Sequence, residues 1–383
     1  MATIIWLTEN YFPRTGGMAQ SCDRIVYHLR QANIEIHVIH IMNFGKIRRE
    51  NVYNGTNLHF PLAENSEMQI DETHSLNLLW NEIAEIVANN VSKITHLVCF
   101  GGYLSMTAAP IFAAYLSVPL IVLLRGNDFD TGIFSPRKRE VLDFALKKAS
   151  CVACVTQEKT EKVQKLYPET KVVFTPNGID VIEWKLLASD LKKVKAIRES
   201  FEKTHQINEI TRIIGIFGQL KAKKGVLFFM QALENSSFVA QTHLLIVGEM
   251  EKETQNFVEN TQHNFTYTHI AFMSRFDLLP YYAVCDAVAI PSFYDGMPNV
   301  LLEAAAVGVP FIASDAGGMT DVLQAEHAWI FKTNNSQSCT QAIDEFWNCE
   351  TEKLKEKGKI LQKHISQNFS CVKERDKYLE IFK

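Results

Sequence analysis

The feature of this chain that most constrains its fold is an alternation of short apolar runs with longer amphipathic segments. The segments between the runs, such as Met18–Arg30 and Glu72–Asn89, have helical spacing. Strands separated by helices are typical of βα units and a parallel sheet, whose strands are continuously apolar because both sheet faces are covered. In the first half of the chain the predicted strands are Thr3–Leu7, Ile36–Ile41, His96–Phe100, Leu120–Leu124, Cys151–Val155 and Lys171–Phe174.

The alternation pauses after Asp180 and then starts again, which indicates a second domain. The segment Glu183–Lys203 reads as a charge-rich helix between the two series. The later predicted strands are Ile213–Phe217, His243–Val247, Thr266–Ala271, Ala287–Ile290 and Pro310–Ala313, followed by predicted helices Gln337–Trp347, Glu352–Ser366 and Cys371–Phe382. We therefore predict an α/β protein with two doubly wound, Rossmann-like domains facing across a cleft. The predicted limits are 1–182, 183–365 and a final helical segment, 366–383.

Composition excludes several classes of protein. Hydrophobic residues make up 47% and charged residues 21% of the 383 residues, which excludes a largely disordered chain. A net charge of −4 favours no general binding to nucleic acid. Eight cysteines are too few for a disulfide scaffold, and the one C-x-x-C, Cys151 and Cys154, has no second pair, so we favour buried thiols over a metal site.

With no signal-peptide pattern and no apolar run of about 20 residues, we expect a cytoplasmic protein.

Two glycine-bearing loops lie between a predicted strand and a predicted helix. Gly16 and Gly17 follow the first strand, and the loop KAKKG, ending in Lys224 and Gly225, opens the second domain. Glycine lets the backbone approach a ligand, and a helix N-terminus offers N–H groups and partial positive charge, which suits a phosphate. A plain turn and a solvated lysine loop stay open as alternatives. Neither loop has G-x-G-x-x-G spacing, which counts against a dinucleotide-dependent dehydrogenase.

The most informative segment is AVAIPSFYDGMPNVLLEAAAVGVPFIAS in the second domain. A predicted strand leads into a loop with Asp295 and then into a helix predicted to begin at Pro298, a residue favoured at helix starts. Glu303 lies in the second helical turn, and helical side chains lean back toward the N-terminus. Two carboxylates therefore flank a helix start that favours an anion, an arrangement suited to hydroxyl-rich groups on either side of a phosphate.

The string DGMPNVLLEAAAVGVP resembles the E-x7-E signature of glycosyltransferase family 4, whose members have the GT-B fold. FGQLKAKKG is similar to the G-R-L-x-x-x-K-G of that family, and LLIVGE, TPNGID and SDAGGMTDVL also resemble its segments. The resemblance extends over essentially the whole chain and is most specific in the second domain. It implies an acceptor-side first domain, a nucleotide-sugar-binding second domain, and a C-terminal helix that crosses back to the first.

The resemblance also implies an activity and a set of site residues. Members are mostly retaining, metal-independent transferases without a cofactor, which use nucleotide-diphosphate sugars, so we expect a hexosyltransferase with a UDP- or GDP-sugar as co-substrate. Glu303 would hold the ribose hydroxyls, Asp295 the sugar hydroxyls and Lys224 the diphosphate. The other implied donor contacts are Gly16, Gly17, Gln219, Met273, Arg275, Asn299 and Val300. Lys224, Asp295 and Asp128 are the predicted catalytic residues.

Two positions depart from the family pattern. The usual Arg of G-R-L is Gln219, which brings no charge, and the first Glu of E-x7-E is the shorter Asp295. Because negative charge builds on the leaving diphosphate, loss of a cation there can cost a few kcal/mol unless Lys223, Arg275 or backbone N–H groups compensate. A non-catalytic nucleotide-binding or scaffolding relative is therefore one alternative, and a sugar-nucleotide epimerase on the same fold is another.

The acceptor side is less specific. LLRGNDFD follows a predicted strand and places Arg125, Asn127 and Asp128 at its carboxyl end as candidate acceptor contacts. A cap or turn is the alternative for Asp128, and pairing with a nearby Asp is the alternative for Arg125. The acceptor is expected to be a glycan, a lipid-linked molecule or a small molecule. Peripheral contact at the inner membrane face stays open, with Lys192–Arg198 the one basic strip that stands out, although a solvated helix face is favoured there.

Overall fold

The structure, a computed structural model, describes residues 2–63, 71–89, 93–126 and 128–383. It separates into two compact units. Unit 1 contains the chain up to Asn177 together with Cys371–Lys383, and unit 2 contains Gly178–Ser370. The unit limits therefore lie between residues 177 and 178 and between 370 and 371, a few residues from the limits proposed from the sequence.

Each unit is built on a largely parallel sheet. The strands of unit 1 are β1 (Thr3–Thr8), β2 (Glu35–Phe44), β3 (Arg48–Val52), β4 (Gly55–Ala63), β5 (His96–Phe100), β6 (Leu120–Leu124), β7 (Cys151–Cys154) and β8 (Val172–Phe174). The strands of unit 2 are β9 (Arg212–Phe217), β10 (Thr242–Val247), β11 (Thr266–Ile270), β12 (Ala287–Ile290), β13 (Phe311–Ser314) and β14 (Ala328–Phe331). The spatial order is β3-β4-β2-β1-β5-β6-β7-β8 in unit 1 and β11-β10-β9-β12-β13-β14 in unit 2. Among these pairs β3 and β4 run antiparallel, and the others are parallel.

Helices connect most of the strands. They are α1 (Gly17–Gln31), α2 (Glu72–Asn89), α3 (Tyr103–Leu116), α4 (Pro136–Lys148), α5 (Gln157–Leu166), α6 (Ala188–His205), α7 (Val226–Glu234), α8 (Lys252–Asn260), α9 (Leu278–Ala283), α10 (Asn299–Val307), α11 (Met319–Val322), α12 (Ser336–Asn348), α13 (Thr351–Asn368) and α14 (Cys371–Ile381). The first five and α14 belong to unit 1. Short 3-10 helices lie at Gly132–Phe134, Ala222–Lys224, Val239–Gln241 and Arg275–Asp277. Within the described part of the chain, no helix combines the length and the apolar character needed to cross a membrane.

Both faces of the unit 1 sheet are covered, as the apolar runs predict. Along β1, Ile4 and Trp6 pack into one hydrophobic cluster, whereas Ile5 and Leu7 pack into another. The strand β6 is buried along its whole length. This is the behaviour of strands in a doubly covered parallel sheet, so the predicted α/β class is confirmed.

The strand register brings the loops that can carry a site to one edge of each sheet. Thr8 at the end of β1 lies opposite His40 in β2 and Phe100 in β5. In unit 2, Phe217 of β9 pairs with Val247 of β10. Because the strands are parallel, the loops that follow them leave from the same carboxyl edge, where open α/β sheets bind ligands.

One predicted helix starts later than the sequence suggests. The helix predicted for Glu183–Lys203 begins at Ala188, and residues 181–184 form a turn. The carboxylate of Asp190 accepts a hydrogen bond from the backbone N–H of Leu187 at 2.9 Å, which caps the helix at this point. Trp184, just before the cap, is buried instead of lying on a solvated helix face.

The C-x-x-C pair consists of two buried, unpaired thiols in β7. Burial raises the pKa of the Cys154 thiol to about 12 and raises that of Cys151 as well. A thiol with a raised pKa holds little thiolate at neutral pH, so the pair is poorly suited to redox or metal chemistry. Residues 2–63, 71–89, 93–126 and 128–383 contain no group of three or more His, Cys, Asp or Glu side chains arranged to hold a metal ion.

Candidate active site

The loop after β9 in unit 2 is held tightly against the loop after β12. Gly225 has a φ of +65°, and a Cβ at this position would lie 2.1 Å from the carbonyl oxygen of Pro291. Only glycine fits such a close backbone approach without strain. The backbone N–H of Phe293 also donates to the carbonyl of Lys223 at 2.9 Å. The two loops that carry the sequence motifs are thereby fixed next to each other.

This approach brings two of the predicted site residues into contact. The ammonium of Lys224 forms an ion pair with the carboxylate of Asp295, and both side chains remain partly exposed. The other carboxylate oxygen of Asp295 accepts from the N–H of Gly296 at 2.9 Å. A Cβ at Gly317 would lie 1.9 Å from the Asp295 carbonyl oxygen, so the loop after β13 supports Asp295 from behind.

Lys223 places a second cation beside this pair. Its ammonium lies 5.3 Å from the centroid of the Tyr294 ring, a cation–π distance. Partial burial lowers the pKa of Lys223, and the nearby Asp295 carboxylate opposes that shift. The Gln219 side chain, at the position where the family pattern has Arg, is exposed.

The start of α10 lies beside these loops. The helix begins at Asn299 with Pro298 as its N-cap, one residue later than predicted, and Pro298 provides no side-chain cap hydrogen bond. A methyl carbon of Val300 lies 3.7 Å from the position that a Cβ would take at Gly218, so the helix start borders the loop after β9. The partial positive charge of a helix N-terminus therefore adds to that of the two lysines.

Glu303 lies in the second turn of α10 and is held at both carboxylate oxygens. Arg275 donates from Nε to Oε1 at 3.1 Å, and Tyr282 donates from its hydroxyl to Oε2 at 3.0 Å. Only 4% of Glu303 is exposed. The Arg275 guanidinium also lies 5.4 Å from the Trp184 ring centroid. Met273, which is half-buried, lies just before Arg275 in the chain.

Two residues of this group were missed by the sequence analysis. Tyr282 and Trp184 are aromatic residues in apolar surroundings, and in a sequence they read as ordinary core residues. Their rings lie 5.7 Å apart. The hydrogen bond of Tyr282 to Glu303 and the contact of Trp184 with Arg275 connect them to the site.

In unit 1, the glycine pair lies at the start of α1 as predicted. Gly16 is the N-cap with a φ of 118°, and apart from Gly16 and its two chain neighbours no atom of the described residues lies within 4 Å of the position of a Cβ there. Gly17 is the first residue of the helix and is exposed. The beginning of this helix is therefore accessible to a ligand, which is compatible with the predicted phosphate contact.

Arg125 has a different environment from the one expected for an acceptor contact. It is buried, and its guanidinium donates to the Thr175 carbonyl, the Asn177 side chain, the Glu374 carboxylate and the Tyr378 hydroxyl. It pairs with neither Asp128 nor Asp130. Its hydrogen bonds attach α14 to the sheet of unit 1, which is a structural role.

The remaining acceptor candidates lie around the loop after β6. Asp128 is half-buried and accepts from the backbone N–H of Gly126 at 3.3 Å. Glu9, at the end of β1, accepts from the N–H groups of Leu104 and Ser105 at the start of α3. Burial raises the pKa of Glu9, and the Asp128 carboxylate adds to that shift. Asn127 lies outside the described residues.

Comparisons with known proteins agree with this arrangement of motifs. The family model described as Glycosyltransferase Family 4 matches residues 15–183, and the one described as Glycosyl transferases group 1 matches residues 197–363. The two-sheet fold and the matched models define the GT-B class of glycosyltransferases. Within that class, the chain belongs to glycosyltransferase family 4, since the two models together cover residues 15–363 apart from 184–196.

Individual relatives are distant. An uncharacterized glycosyltransferase of Methanocaldococcus jannaschii is 24% identical over 214 residues, which are 53% of this chain and 53% of that protein. The UDP-Gal:alpha-D-GlcNAc-diphosphoundecaprenol alpha-1,3-galactosyltransferase of Escherichia coli is 23% identical over 248 residues, 62% of this chain and 61% of that protein. The chain thus spans little more than half of the length of these relatives. The structure of sucrose-phosphate synthase from Thermosynechococcus elongatus has a TM-score of 0.79 at 15% identity and covers 100% of this chain and 98% of that one.

Proposed function

We propose that this protein transfers a hexose from a nucleotide-diphosphate sugar to an acceptor, with retention of anomeric configuration and without a metal ion. The observation that carries the proposal is the group formed by Lys224, Asp295 and Glu303 around the start of α10. It combines cations and a helix N-terminus, which suit a diphosphate, with two carboxylates, which suit hydroxyl groups. A UDP- or GDP-sugar has this chemistry.

Each donor group has a proposed partner in unit 2. Lys224, Lys223 and the N–H groups of Asn299 and Val300 would bind the diphosphate. Asp295 would accept hydrogen bonds from the sugar hydroxyls, and Glu303 from the ribose hydroxyls. Gln219 would add a neutral donor, and the stretch from Met273 to Arg275 would border the base.

The proposed mechanism relies on positioning and on charge stabilisation. As the bond from the anomeric carbon to the diphosphate oxygen breaks, negative charge grows on the diphosphate, and Lys224 with its neighbours stabilises it. The acceptor hydroxyl attacks the anomeric carbon from the side the diphosphate leaves, and a departing phosphate oxygen takes its proton. No histidine base is required for this route.

For unit 1 we propose an acceptor contact at Asp128 and a phosphate contact at Gly16 and Gly17. Asp128 is half-buried at the carboxyl edge of the sheet, where a hydroxyl-bearing acceptor can reach it. The name of the Escherichia coli relative specifies an undecaprenol-diphosphate-linked sugar as its acceptor. A glycan or lipid-linked acceptor is therefore our proposal for this chain as well.

The test is a panel of UDP- and GDP-sugars in the presence of EDTA. Calorimetry measures binding, and released nucleotide measures slow donor hydrolysis or transfer to added acceptors. We expect one donor to bind and turn over, and Glu303→Ala to reduce that activity by about 100-fold, because two charge-assisted hydrogen bonds to ribose are lost. Glu352→Ala, at an exposed glutamate of α13, is the matched control.

Three outcomes would contradict the proposal. Undiminished activity of Glu303→Ala would show that the site is elsewhere. Activity that appears only after a divalent cation is added would refute metal independence. A product with inverted anomeric configuration by NMR would refute retention.

A further inference from the structure

Three segments of unit 1 have the same unusual composition. In each, an exposed phenylalanine is followed within a few residues by one or more exposed cations. We name these segments the aromatic–basic tips: residues 12–14, residues 44–48 between the last residue of β2 and the first of β3, and residues 134–138 at the start of α4. Their sequences are FPR, FGKIR and FSPRK.

The phenylalanines of the tips are far more exposed than core residues of that type. Phe12 is 65% exposed, Phe44 55% and Phe134 85%. Ile47, between two cations of the second tip, is also exposed. Single exposed apolar residues are common on protein surfaces, but several that recur on one edge indicate a surface that binds something.

The three tips leave the same edge of the sheet. They follow β1, β2 and β6, which run parallel in the continuous order β2-β1-β5-β6. His40 of β2 lies opposite Thr8, the last residue of β1, and β2 continues beyond His40 to Phe44. The second tip therefore projects roughly 13 Å past the end of β1. The tips therefore share the carboxyl edge of unit 1 and are spread across it.

The charge of the tips is positive although the chain as a whole carries −4. The exposed cations are Arg14, Lys46, Arg48, Arg137 and Lys138. Glu50 pairs with Arg48 and so offsets one of these cations, whereas Asp130 pairs with Lys159, outside the tips, at 3.0 Å. By contrast, the basic strip on α6 alternates with acids, and Lys195 and Arg198 pair with Glu199 and Glu202 one turn further on.

We propose that the aromatic–basic tips dock unit 1 on an anionic lipid bilayer. Phenylalanine side chains enter the boundary between headgroups and acyl chains, while lysine and arginine side chains attract anionic headgroups. The inference goes beyond glycosyl transfer, since vesicle binding needs neither donor nor acceptor. It also replaces the α6 strip as the predicted membrane contact.

The test measures binding of the full chain to sucrose-loaded vesicles by sedimentation. We expect binding to vesicles that contain phosphatidylglycerol, little binding to pure phosphatidylcholine, and weaker binding at high salt. The double variants Phe44→Ser with Phe134→Ser, and Lys46→Glu with Lys138→Glu, should each reduce binding by about tenfold or more. Donor binding by calorimetry should stay unchanged, which shows that the variants remain folded.

Matched controls separate the tips from general surface effects. Tyr27→Ser removes an aromatic of α1 that is exposed to a similar degree, and Lys192→Glu with Lys195→Glu reverses two charges on α6. Both should bind vesicles like the unaltered protein. The proposal is wrong if the unaltered protein does not bind anionic vesicles at low salt, if the tip variants bind as well as it does, or if the controls lose binding equally.

Discussion

The hydroxyl of Tyr282 donates a hydrogen bond to one carboxylate oxygen of Glu303 at 3.0 Å, and Arg275 occupies the other oxygen at 3.1 Å. Burial raises the pKa of Tyr282 well above its ordinary value, and the Glu303 carboxylate raises it further. Tyr282 therefore stays a hydrogen-bond donor at any pH the protein meets. A carboxylate fixed in this way presents its remaining lone pairs in defined directions.

Replacing Tyr282 by Phe should therefore weaken donor binding. The change removes only the hydroxyl, and loss of one hydrogen bond to a charged group costs about 1.5 kcal/mol or more, roughly tenfold in the dissociation constant for the nucleotide. Calorimetry with UDP or GDP measures this dissociation constant. Tyr281→Phe, at the neighbouring and less buried tyrosine, should bind normally. Equal affinities of the two variants would show that Tyr282 does not position Glu303.

Much of the fold could be predicted because most strands are apolar on both faces. The predicted runs for β5 and β6 agree with the structure residue by residue. The strands β3 and β4 were not predicted, because β3 has the charged sequence RRENV and β4 contains a glycine and a proline. The edge strand β14, with the sequence AWIF, was also missed; it is not buried along its whole length, unlike the neighbouring strand β13 of its sheet.

The candidate site could be predicted only where local sequence carries it. The motif that contains Asp295 and Glu303 is a continuous string, so the spacing along one loop and the helix that follows it was sufficient. The partners of Arg125 could not be found in this way, because Glu374 lies 249 residues further along the chain. The sequence around either residue does not indicate such a pair, because the two side chains meet only when α14 packs on unit 1.

Gln219→Arg should strengthen donor binding. Gln219 is exposed beside the lysine loop, so the new guanidinium can approach the diphosphate without displacing a buried group. A partly exposed ion pair contributes about 1 kcal/mol at most, so we expect up to about fivefold tighter binding of the nucleotide diphosphate, decreasing with salt. Gln337→Arg, at an exposed glutamine of α12, controls for net charge. An unchanged or weaker affinity would place Gln219 away from the diphosphate.

Acid should destabilise the protein through its buried histidines. Burial lowers the pKa of His40, His243 and His327 to about 4 in each case, and a neighbouring histidine adds to each shift. Since the unfolded value is about 6.5, unfolding takes up protons between these values. The contribution of each neutral, buried histidine to the free energy of unfolding is complete above about pH 6.5 and is lost as the pH falls toward 4. For each histidine the loss is up to about 1.4 kcal/mol per pH unit.

Urea unfolding at pH 7, 6 and 5 tests this pH dependence. The His40→Gln variant should show a smaller decrease in the free energy of unfolding over that range than the unaltered protein. The raised pKa of Glu9 acts in the opposite direction, so the difference between variants is the informative quantity. His74→Gln, at an exposed position, controls for the replacement of a histidine by glutamine as such. A decrease identical in all three proteins would refute the assignment to His40.

Glu374 should be essential for the stability of unit 1. Its carboxylate pairs with Arg24 at 2.8 Å and with Arg125 at 2.9 Å, and the side chains of Glu374 and Arg125 are almost completely buried. Glu374→Ala would leave the Arg125 guanidinium buried without its counterion, which typically costs about 3–5 kcal/mol. Denaturant unfolding measures the loss. Glu380→Ala, on the exposed side of the same helix, should change stability by less than about 0.5 kcal/mol. Similar losses in both variants would show that the buried ion pair of Glu374 is not what attaches α14 to the sheet.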